Sequence, residues 1–211
     1  MKITCQLLLL TATLATTLAC KKEDVTQPVV PVQAQTVSNL AADPTTGVDP
    51  VTGRPTGSTN KYTFYSLREN KVIASTDSAS NKWDVGFRGT SIIVNGGAIR
   101  SGQGGAYVYT GTFEELTTVP ASATFAQDQS ASALAIPAVS GNGWYNYNSS
   151  TNIVSPIPGR VLVVRTGDGK YAKVEILSYY ENAPAAPTAT SRSRFYTFRY
   201  AYQPDGSTKL N

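Results

Sequence analysis

A succession of short apolar segments is the feature that most constrains the fold of this chain. From Lys61 onward, runs of aromatic and β-branched residues follow one another, separated by Gly, Pro, Asn and Ser. Within residues 83–88, large apolar side chains alternate with polar or small ones, the two-residue period of a half-buried strand. No stretch carries a helical stripe of apolar positions. The pattern predicts an all-β domain, either a two-sheet sandwich or a barrel-like fold, with little helix.

The clearest pair of predicted strands forms a hairpin. Residues 161–165 and 171–177 are rich in β-branched side chains, and a Gly-Asp-Gly sequence at 167–169 separates them. Asp-Gly supplies the positive φ angles that a tight two-residue turn needs. A further strand is predicted at 195–202. Its alternate aromatic residues are expected on one face: Tyr196, Phe198, Tyr200 and Tyr202.

The first twenty residues are typical of an export signal. Lys2 is followed by an apolar run over residues 7–18 that is too short to span a bilayer as a mature helix. The run ends at Ala19-Cys20, which resembles a bacterial lipoprotein signal, in which cleavage precedes a cysteine whose thiol carries a diacylglyceryl group. Thr17 stands where Leu is usual in such signals, so an ordinary secretory signal peptide is the alternative.

The predicted domain organisation has three parts. Residues 1–19 form the lipoprotein signal peptide, residues 20–35 a lipidated tether, and residues 36–211 the all-β domain. Proline residues in the tether disfavour both helix and central strand. The charged residues 21–24 resemble a signal that sends lipoproteins to the outer face of the outer membrane, although a solvated charge run explains them equally well. We therefore expect a lipid-anchored outer-membrane protein facing the cell exterior.

Several kinds of chemistry are excluded by composition. The chain has no His, its single Met is Met1, and its two Cys residues are Cys5, in the signal, and Cys20. Catalytic triads with a His base, Cys-His nucleophiles and the usual zinc sites are therefore impossible. The adjacent carboxylates Glu114 and Glu115 would point to opposite faces of a strand and form no acid/base pair. The sequence predicts a protein that is not an enzyme.

Other motif-like features are interpreted as structural. The glycine-rich segments 95–97 and 102–105 lack the Lys-Ser or Lys-Thr pair and the helix of a phosphate-binding loop. Asp43 and Asp49 begin two similar Asp-Pro units, which predict successive turns rather than a calcium site. Without Lys2 the mature chain keeps 17 basic against 14 acidic residues. No basic stripe interleaved with aromatics occurs, so nucleic acid is not an expected partner.

Several segments together resemble the HmuY family of bacterial surface lipoproteins and secreted haemophores, which capture haem. The likeness runs in the family's order from about Tyr62 to Tyr202. It is carried by Trp83-Asp84, Asn95-Gly96, residues 102–106, residues 117–120, Gly143-Trp144, residues 160–165, Asp168-Gly169, residues 172–174, Tyr179, Thr197-Phe198, Tyr200 and Tyr202. The resemblance implies an all-β fold with a haem cleft beside the loops at one end, a surface location and a possible outer-membrane receptor as partner.

The departure from the family concerns the iron ligands. The resemblance implies two axial His residues, or Met in some branches, one before the Gly-Trp motif and one just after it. Here the second position falls near Asn148 or Ser149, and the first falls within residues 121–142, which contain neither residue type. No metal ligand is inherited, and amides and hydroxyls are poor axial ligands for haem iron.

Two hypotheses of function follow. In the first, the protein captures haem or a related tetrapyrrole, with a phenolate of Tyr145 or Tyr147 as a single hard ligand for ferric iron. In the second, the cleft binds a different small molecule or partner, such as a glycan stacked on Trp144 and Tyr145. Against both stands a structural interpretation, in which the two tyrosines are sheet or core aromatics and Trp144 belongs to the core.

Overall fold

A computed structural model of the protein describes residues 32–211, and these residues are almost entirely β-structure. They contain thirteen strands and one short 3-10 helix, Ser75–Asp77. The strands are β1 Ala34–Ala41, β2 Gly47–Val48, β3 Pro55–Thr56, β4 Thr63–Ser66, β5 Lys71–Ile73, β6 Val85–Arg88, β7 Ser91–Val94, β8 Gly105–Thr110, β9 Tyr145–Asn148, β10 Ile153–Pro156, β11 Arg160–Arg165, β12 Tyr171–Tyr180 and β13 Ser193–Gln203. The all-β prediction is confirmed.

The predicted N-terminal features lie mostly outside the described residues. The signal peptide, Cys20, the charge run at 21–24 and most of the tether are among them. Strand β1 begins at Ala34, so the last two residues of the predicted tether already belong to the sheet. Among residues 32–211, no helix is long and apolar enough to span a membrane.

The largest sheet has five antiparallel strands in the order β1-β13-β12-β11-β8. Its centre is the long pair β12 and β13, in which Val174 lies opposite Tyr200. Strand β1 closes one edge by pairing with β13, so that Ala34 lies opposite Ala201. The two ends of the domain are therefore joined in one sheet, which ties the start of the domain to its last strand.

A second sheet has four strands in the order β5-β4-β6-β7. Its strands are connected by short turns, as at Asn70, where φ is +50°. Two smaller antiparallel pairs, β2 with β3 and β9 with β10, lie outside the two main sheets. Because both main sheets have free edge strands, the fold is an open two-sheet arrangement and not a closed barrel.

Aromatic side chains fill the core between the two main sheets. Phe87 of the four-stranded sheet packs on Phe198 and Tyr196 of the five-stranded sheet, with ring centroids 5.4 and 4.8 Å apart. Tyr65 meets Phe198 edge to face at 5.6 Å. The predicted shared face of the last strand is confirmed, since Tyr196, Phe198 and Tyr200 are fully buried and Tyr202 packs against the same cluster.

The predicted hairpin between β11 and β12 is present, but its turn differs from the expected one. Residues 167–169 form a three-residue loop, in which the Thr166 N–H donates to the Lys170 carbonyl at 2.8 Å. Gly169 alone has a positive φ, +83°. This is the geometry in which a type I turn is followed by one left-handed residue. The common two-residue type I′ turn would need a positive φ at both central residues, and the φ angle of Asp168 is not positive.

The outer face of the five-stranded sheet is covered by the segment after β8. Glu114 and Glu115 lie there in a turn, not on a strand as expected. Glu115 accepts a hydrogen bond from the Thr112 N–H at 2.9 Å, and Glu114 pairs with Arg199. Buried Lys173 donates to the carbonyls of Phe113 and Leu116 at 2.7 and 2.9 Å, which fixes this covering segment to the sheet.

The glycine-rich segments allow backbones to approach closely. A Cβ at Gly96 would stand 1.9 Å from the Gly104 carbonyl oxygen, and one at Gly97 would stand 2.1 Å from that of Asp128. Neither position can hold a larger residue without moving the chain. The interpretation of these segments as tight loops agrees with this packing.

Candidate ligand-binding site

The hairpin of β9 and β10 carries the residues singled out from the sequence. Tyr145 lies opposite Pro156 and Tyr147 opposite Val154, so the two tyrosines share one face of the hairpin. At its tip, the Asn148 side-chain oxygen accepts hydrogen bonds from the backbone N–H groups of Ser150 and Thr151, at 2.9 and 3.2 Å. The side chain at one inherited ligand position therefore stabilises its own turn.

Trp144, immediately before β9, is part of the core. It is 2% exposed, and its indole N–H donates to the Thr90 carbonyl at 2.9 Å. Its ring packs on Tyr145, Tyr179 and Tyr196, with centroid distances of 5.0, 5.8 and 5.2 Å. The ring presents no exposed face on which a glycan could stack, so its position matches the core interpretation.

Tyr145 is also enclosed. Its side chain is 7% exposed, and its hydroxyl donates to the Ala138 carbonyl at 3.1 Å. A second contact, from the Gly141 N–H to the Tyr145 carbonyl at 2.9 Å, holds the preceding loop against the strand. Tyr145 thus anchors the loop that precedes the Gly-Trp motif, and an approaching iron atom would have to displace that loop.

Tyr147 is the candidate that reaches solvent. It is 46% exposed, whereas Trp144 and Tyr145 are buried. Its backbone N–H donates to the Ser140 hydroxyl at 2.8 Å, and its own hydroxyl donates to the Asn152 side-chain oxygen at 2.9 Å. The backbone is therefore fixed, while the phenol is held only by one exposed hydrogen bond.

A cavity of about 370 Å³ opens beside Tyr147, and we call it the Tyr147 cleft. Such a volume lies within the range of small-molecule sites. Its walls combine aromatic, apolar and cationic side chains, chiefly Tyr147, Val154, Tyr179, Tyr180, Arg54 and Arg194. The cleft therefore offers aromatic surface, one accessible phenol and two guanidinium groups.

The other two tyrosines of the cleft, Tyr179 and Tyr180, are poor candidates for a deprotonated phenolate that binds iron. Burial raises the pKa of Tyr179 far above its ordinary value, and burial also raises the pKa of Tyr180. The Tyr180 hydroxyl oxygen already accepts the Val154 N–H at 3.0 Å. These two side chains form the floor of the cleft, and Tyr147 remains the accessible oxygen donor.

The cationic residues of the cleft were not found from the sequence. Arg194, the second residue of β13, has φ of +68°, and its guanidinium donates to the carbonyls of Asp43 and Gly57 at 3.1 and 3.2 Å. Arg54 ends the second Asp-Pro unit. Neither residue belongs to a recognisable local motif. The two come together only through contacts between segments about 140 residues apart, which local sequence patterns do not show.

Of the two Asp-Pro units, only the second forms the predicted turn, at residues 50–52; the prediction is wrong for the first, which bends at Asp43 and continues into β2 because Asp43 bonds to residues 58–60. The Asp49 side-chain oxygen accepts the N–H groups of Val51 and Thr52 at 2.9 and 2.7 Å. Asp43 accepts hydrogen bonds from Ser58, Thr59 and Asn60. Within residues 32–211 no group of three or more His, Cys, Asp or Glu side chains is placed to hold a metal ion.

The described residues define an open two-sheet all-β protein with a surface cleft. The HmuY protein family model matches residues 58–200, which is most of the chain. The chain therefore belongs to the HmuY family, as the sequence resemblance predicted. The comparison with curated proteins finds no match.

The similar proteins with solved structures share low sequence identity with this chain. A protein from Bacteroides vulgatus described as HmuY-like and haem-binding has 18% identity and a TM-score of 0.49, over 84% of this chain and 95% of its own. A protein from Bacteroides fragilis described as a lipoprotein has 17% identity and a TM-score of 0.47, over 81% and 91%. The apo HmuY analog of Tannerella forsythia has 17% identity and a TM-score of 0.45, over 84% and 100%.

Proposed function

We propose that this protein is a surface lipoprotein that captures haem or a related tetrapyrrole in the Tyr147 cleft, for uptake by the cell. The phenolate of Tyr147 would be its single side-chain ligand to ferric iron. One observation carries the proposal: of the three candidates on this segment, only Tyr147 is exposed, and it stands at the mouth of a cleft that contains two arginines.

The donor set of the cleft fits a tetrapyrrole bound through oxygen. A phenolate is a hard anionic ligand that ferric haem accepts in other proteins. To bind, Tyr147 gives up one exposed hydrogen bond to Asn152, which costs about 1 kcal/mol. The guanidinium group of Arg54 is suited to a carboxylate such as that of a porphyrin, whereas Arg194 already donates to two carbonyls and lies 3.9 Å from an Asp43 carboxylate oxygen. The floor of Tyr179 and Tyr180 supplies aromatic surface for the ring.

The location follows from the predicted lipidation. Acylated Cys20 would attach the mature chain to the outer membrane, and the charge run at 21–24 would direct it to the outer face. A binding domain held outside the cell could collect the ligand and pass it to an outer-membrane receptor. The membrane and this receptor are the proposed partners, together with the tetrapyrrole.

The proposal is tested by titrating residues 21–211 with ferric haem. We expect a shifted Soret band and a phenolate-type visible spectrum. Tyr147→Phe should lose that spectrum and bind at least about tenfold more weakly, because the hydroxyl is the only group removed. Tyr145→Phe is the matched control: it loses one buried neutral hydrogen bond and should retain the wild-type spectrum. Loss of the spectrum in Tyr145→Phe but not in Tyr147→Phe would refute the assignment.

The second candidate function is binding of a ligand without iron. The lack of His, and of Met beyond Met1, favours it, because the family's ligand positions hold amides and hydroxyls here. The same titration separates the two functions. If the spectrum of free haem is unchanged in excess protein, the haem proposal fails, and binding of a different ligand, a glycan or a protein partner becomes the leading function.

A further inference from the structure

A second concave site lies on the outer face of the four-stranded sheet, away from the core. In this sheet Phe64 lies opposite Ile73 and Gly86, and Gly86 lies opposite Ile93. These residues form one apolar row across the sheet. A Cβ at Gly86 would stand 2.8 Å from Ile93 and 3.3 Å from Phe64, so glycine lets the two side chains settle toward the sheet.

Aromatic residues and a loop enclose a cavity of about 400 Å³ above this row, which we call the Arg100 pocket. Phe64 packs on Trp83 with ring centroids 4.7 Å apart, and on Tyr62 at 6.4 Å. Ile99, 43% exposed, stands on the loop side of the pocket. Trp83 and Ile93 are buried beneath the pocket, so the apolar surface open to a ligand is that of half-buried Tyr62 and Phe64 and of exposed Ile99.

Arg100 brings a cation with unused hydrogen-bonding capacity to this apolar pocket. Its Nε is buried and has no hydrogen-bond partner within the described part of the chain. Its Nη1 donates to the Ile99 carbonyl at a long 3.3 Å. Its Nη2 lies 3.8 Å from an Asp128 carboxylate oxygen, beyond hydrogen-bonding distance. A buried N–H without an acceptor is costly, so this guanidinium is ready to receive one.

Asp128 does not supply that hydrogen bond, because its nearest oxygen is 3.8 Å from Nη2 and the carboxylate is held in place by two backbone groups. Its oxygens accept the backbone N–H groups of Val94 and Ala135 at 3.2 and 2.9 Å. The Asp128 charge partly balances Arg100 without supplying the missing hydrogen bond. The guanidinium also lies over the Trp83 ring, 6.0 Å from its centroid. The Nε and Nη2 edge of an arginine can take a carboxylate through two parallel hydrogen bonds.

We infer that the Arg100 pocket binds a flat apolar ring that carries a carboxylate. The half-buried rings of Tyr62 and Phe64 take the ligand's ring, and the guanidinium of Arg100 takes the carboxylate. The pocket shares no lining residue with the Tyr147 cleft, so the inference does not depend on the proposed haem site. Two sources share this chemistry: a small aromatic acid, and the propionate-bearing edge of a tetrapyrrole.

The test uses the two tryptophans as separate reporters. The chain has only two, Trp83 and Trp144, so its proton–nitrogen NMR spectrum has two indole signals, assigned with Trp144→Phe. The Trp83 indole N–H donates to the carbonyl of Ser78, a residue that lines the pocket. Titration with 2-naphthoate should shift the Trp83 signal and leave the Trp144 signal in place.

Matched ligand and protein controls isolate the role of the cation. The uncharged 2-naphthalenemethanol should bind at least about tenfold more weakly than 2-naphthoate. Arg100→Gln should weaken naphthoate by a similar factor and leave the alcohol unchanged, whereas Lys209→Gln, an exposed cation that does not line the pocket, should change neither. The undisturbed Trp144 signal reports that each variant is folded.

Ferric haem forms the second arm of the test. If haem shifts the Trp83 signal and Arg100→Gln suppresses that shift, the natural ligand is a tetrapyrrole. If only naphthoate shifts the signal, the natural ligand is a small aromatic acid. If neither ligand moves the Trp83 signal, or if Arg100→Gln binds naphthoate as well as the wild type, the inference is wrong. Haem binding at the Tyr147 cleft is read from the phenolate spectrum, so the two proposals fail separately.

Discussion

Asp84 gives the sharpest prediction about how the fold responds to pH. Its carboxylate is 3% exposed and accepts the backbone N–H groups of Leu67 and Gly167 at 2.7 and 3.0 Å. It therefore joins the turn after β4 to the turn of the β11–β12 hairpin. Burial raises the Asp84 pKa from 3.8 to about 6, and the two hydrogen bonds offset only part of that shift.

The sign of the effect follows from the raised pKa. The folded state binds the proton more tightly than the unfolded chain, so the stabilisation is fully present below pH 3.8 and is lost as pH rises through about 6. A shift of roughly two pKa units corresponds to about 3 kcal/mol of unfolding free energy, at 1.36 kcal/mol per unit. Asp84→Asn removes the titration and costs about 1–3 kcal/mol, because the amide NH₂ faces a backbone N–H.

The assay is urea unfolding of the wild type and Asp84→Asn between pH 4 and pH 7. We expect the stability advantage of the wild type to shrink by about 2.4 kcal/mol as pH rises across this window, because the unfolded chain is already partly ionised at pH 4. Asp168→Asn is the control without a trend in this window: despite partial burial, hydrogen bonding to Thr166 and the charge of Arg68 lower the pKa of Asp168, so its stabilisation is lost only below pH 3.8. A wild-type advantage that stays constant or grows with pH would show that Asp84 is ionised throughout, and would refute the reasoning.

Two further predictions concern packing. Gly143→Ala places a Cβ 2.0 Å from the Pro137 carbonyl oxygen and should lower the free energy of unfolding in urea by roughly 2–4 kcal/mol. The control Gly89→Ala meets nothing within 4 Å and should lower it by only about 1 kcal/mol, because of its positive φ. Equal losses would mean that the loop before Trp144 is not closely packed. Lys173→Met should lower the free energy of unfolding by about 2–4 kcal/mol, because the Phe113 and Leu116 carbonyls lose their donor. Lys209→Met, at an exposed position, should lower it by less than about 0.5 kcal/mol. A small loss for Lys173→Met would show that water replaces the ammonium.

Local sequence patterns predicted the strands because strand formation and turn chemistry are local. The alternation in 195–202 assigned the buried face correctly, and the Gly-Asp-Gly sequence placed a hairpin even though its turn has a different geometry. The pairing of β1 with β13 could not be predicted, because no local signal links residues about 165 positions apart. The assignment of Glu114 and Glu115 to a strand overlooked a local signal, because Thr112 and Glu115 exchange side-chain to backbone hydrogen bonds that hold the turn.

The candidate site was predicted only in part, because tertiary contacts decide which of its residues are accessible. Alternation placed Tyr145 and Tyr147 on one face of a strand, but the loop at 137–143 covers Tyr145 and leaves Tyr147 open. Which of two equivalent residues is covered depends on tertiary contacts. The clustering of Arg54 and Arg194 at the cleft, and the unpaired Nε of Arg100, depend on such contacts as well.

Resonance Raman spectroscopy of the ferric haem complex can show whether Tyr147 binds the iron, because it identifies the ligand atom. We expect enhanced phenolate ring vibrations in the wild type and in Tyr145→Phe, and their absence in Tyr147→Phe. A complex of the wild type in which iron is bound through nitrogen side chains such as Lys, with a spectrum that Tyr147→Phe leaves unchanged, would contradict this assignment.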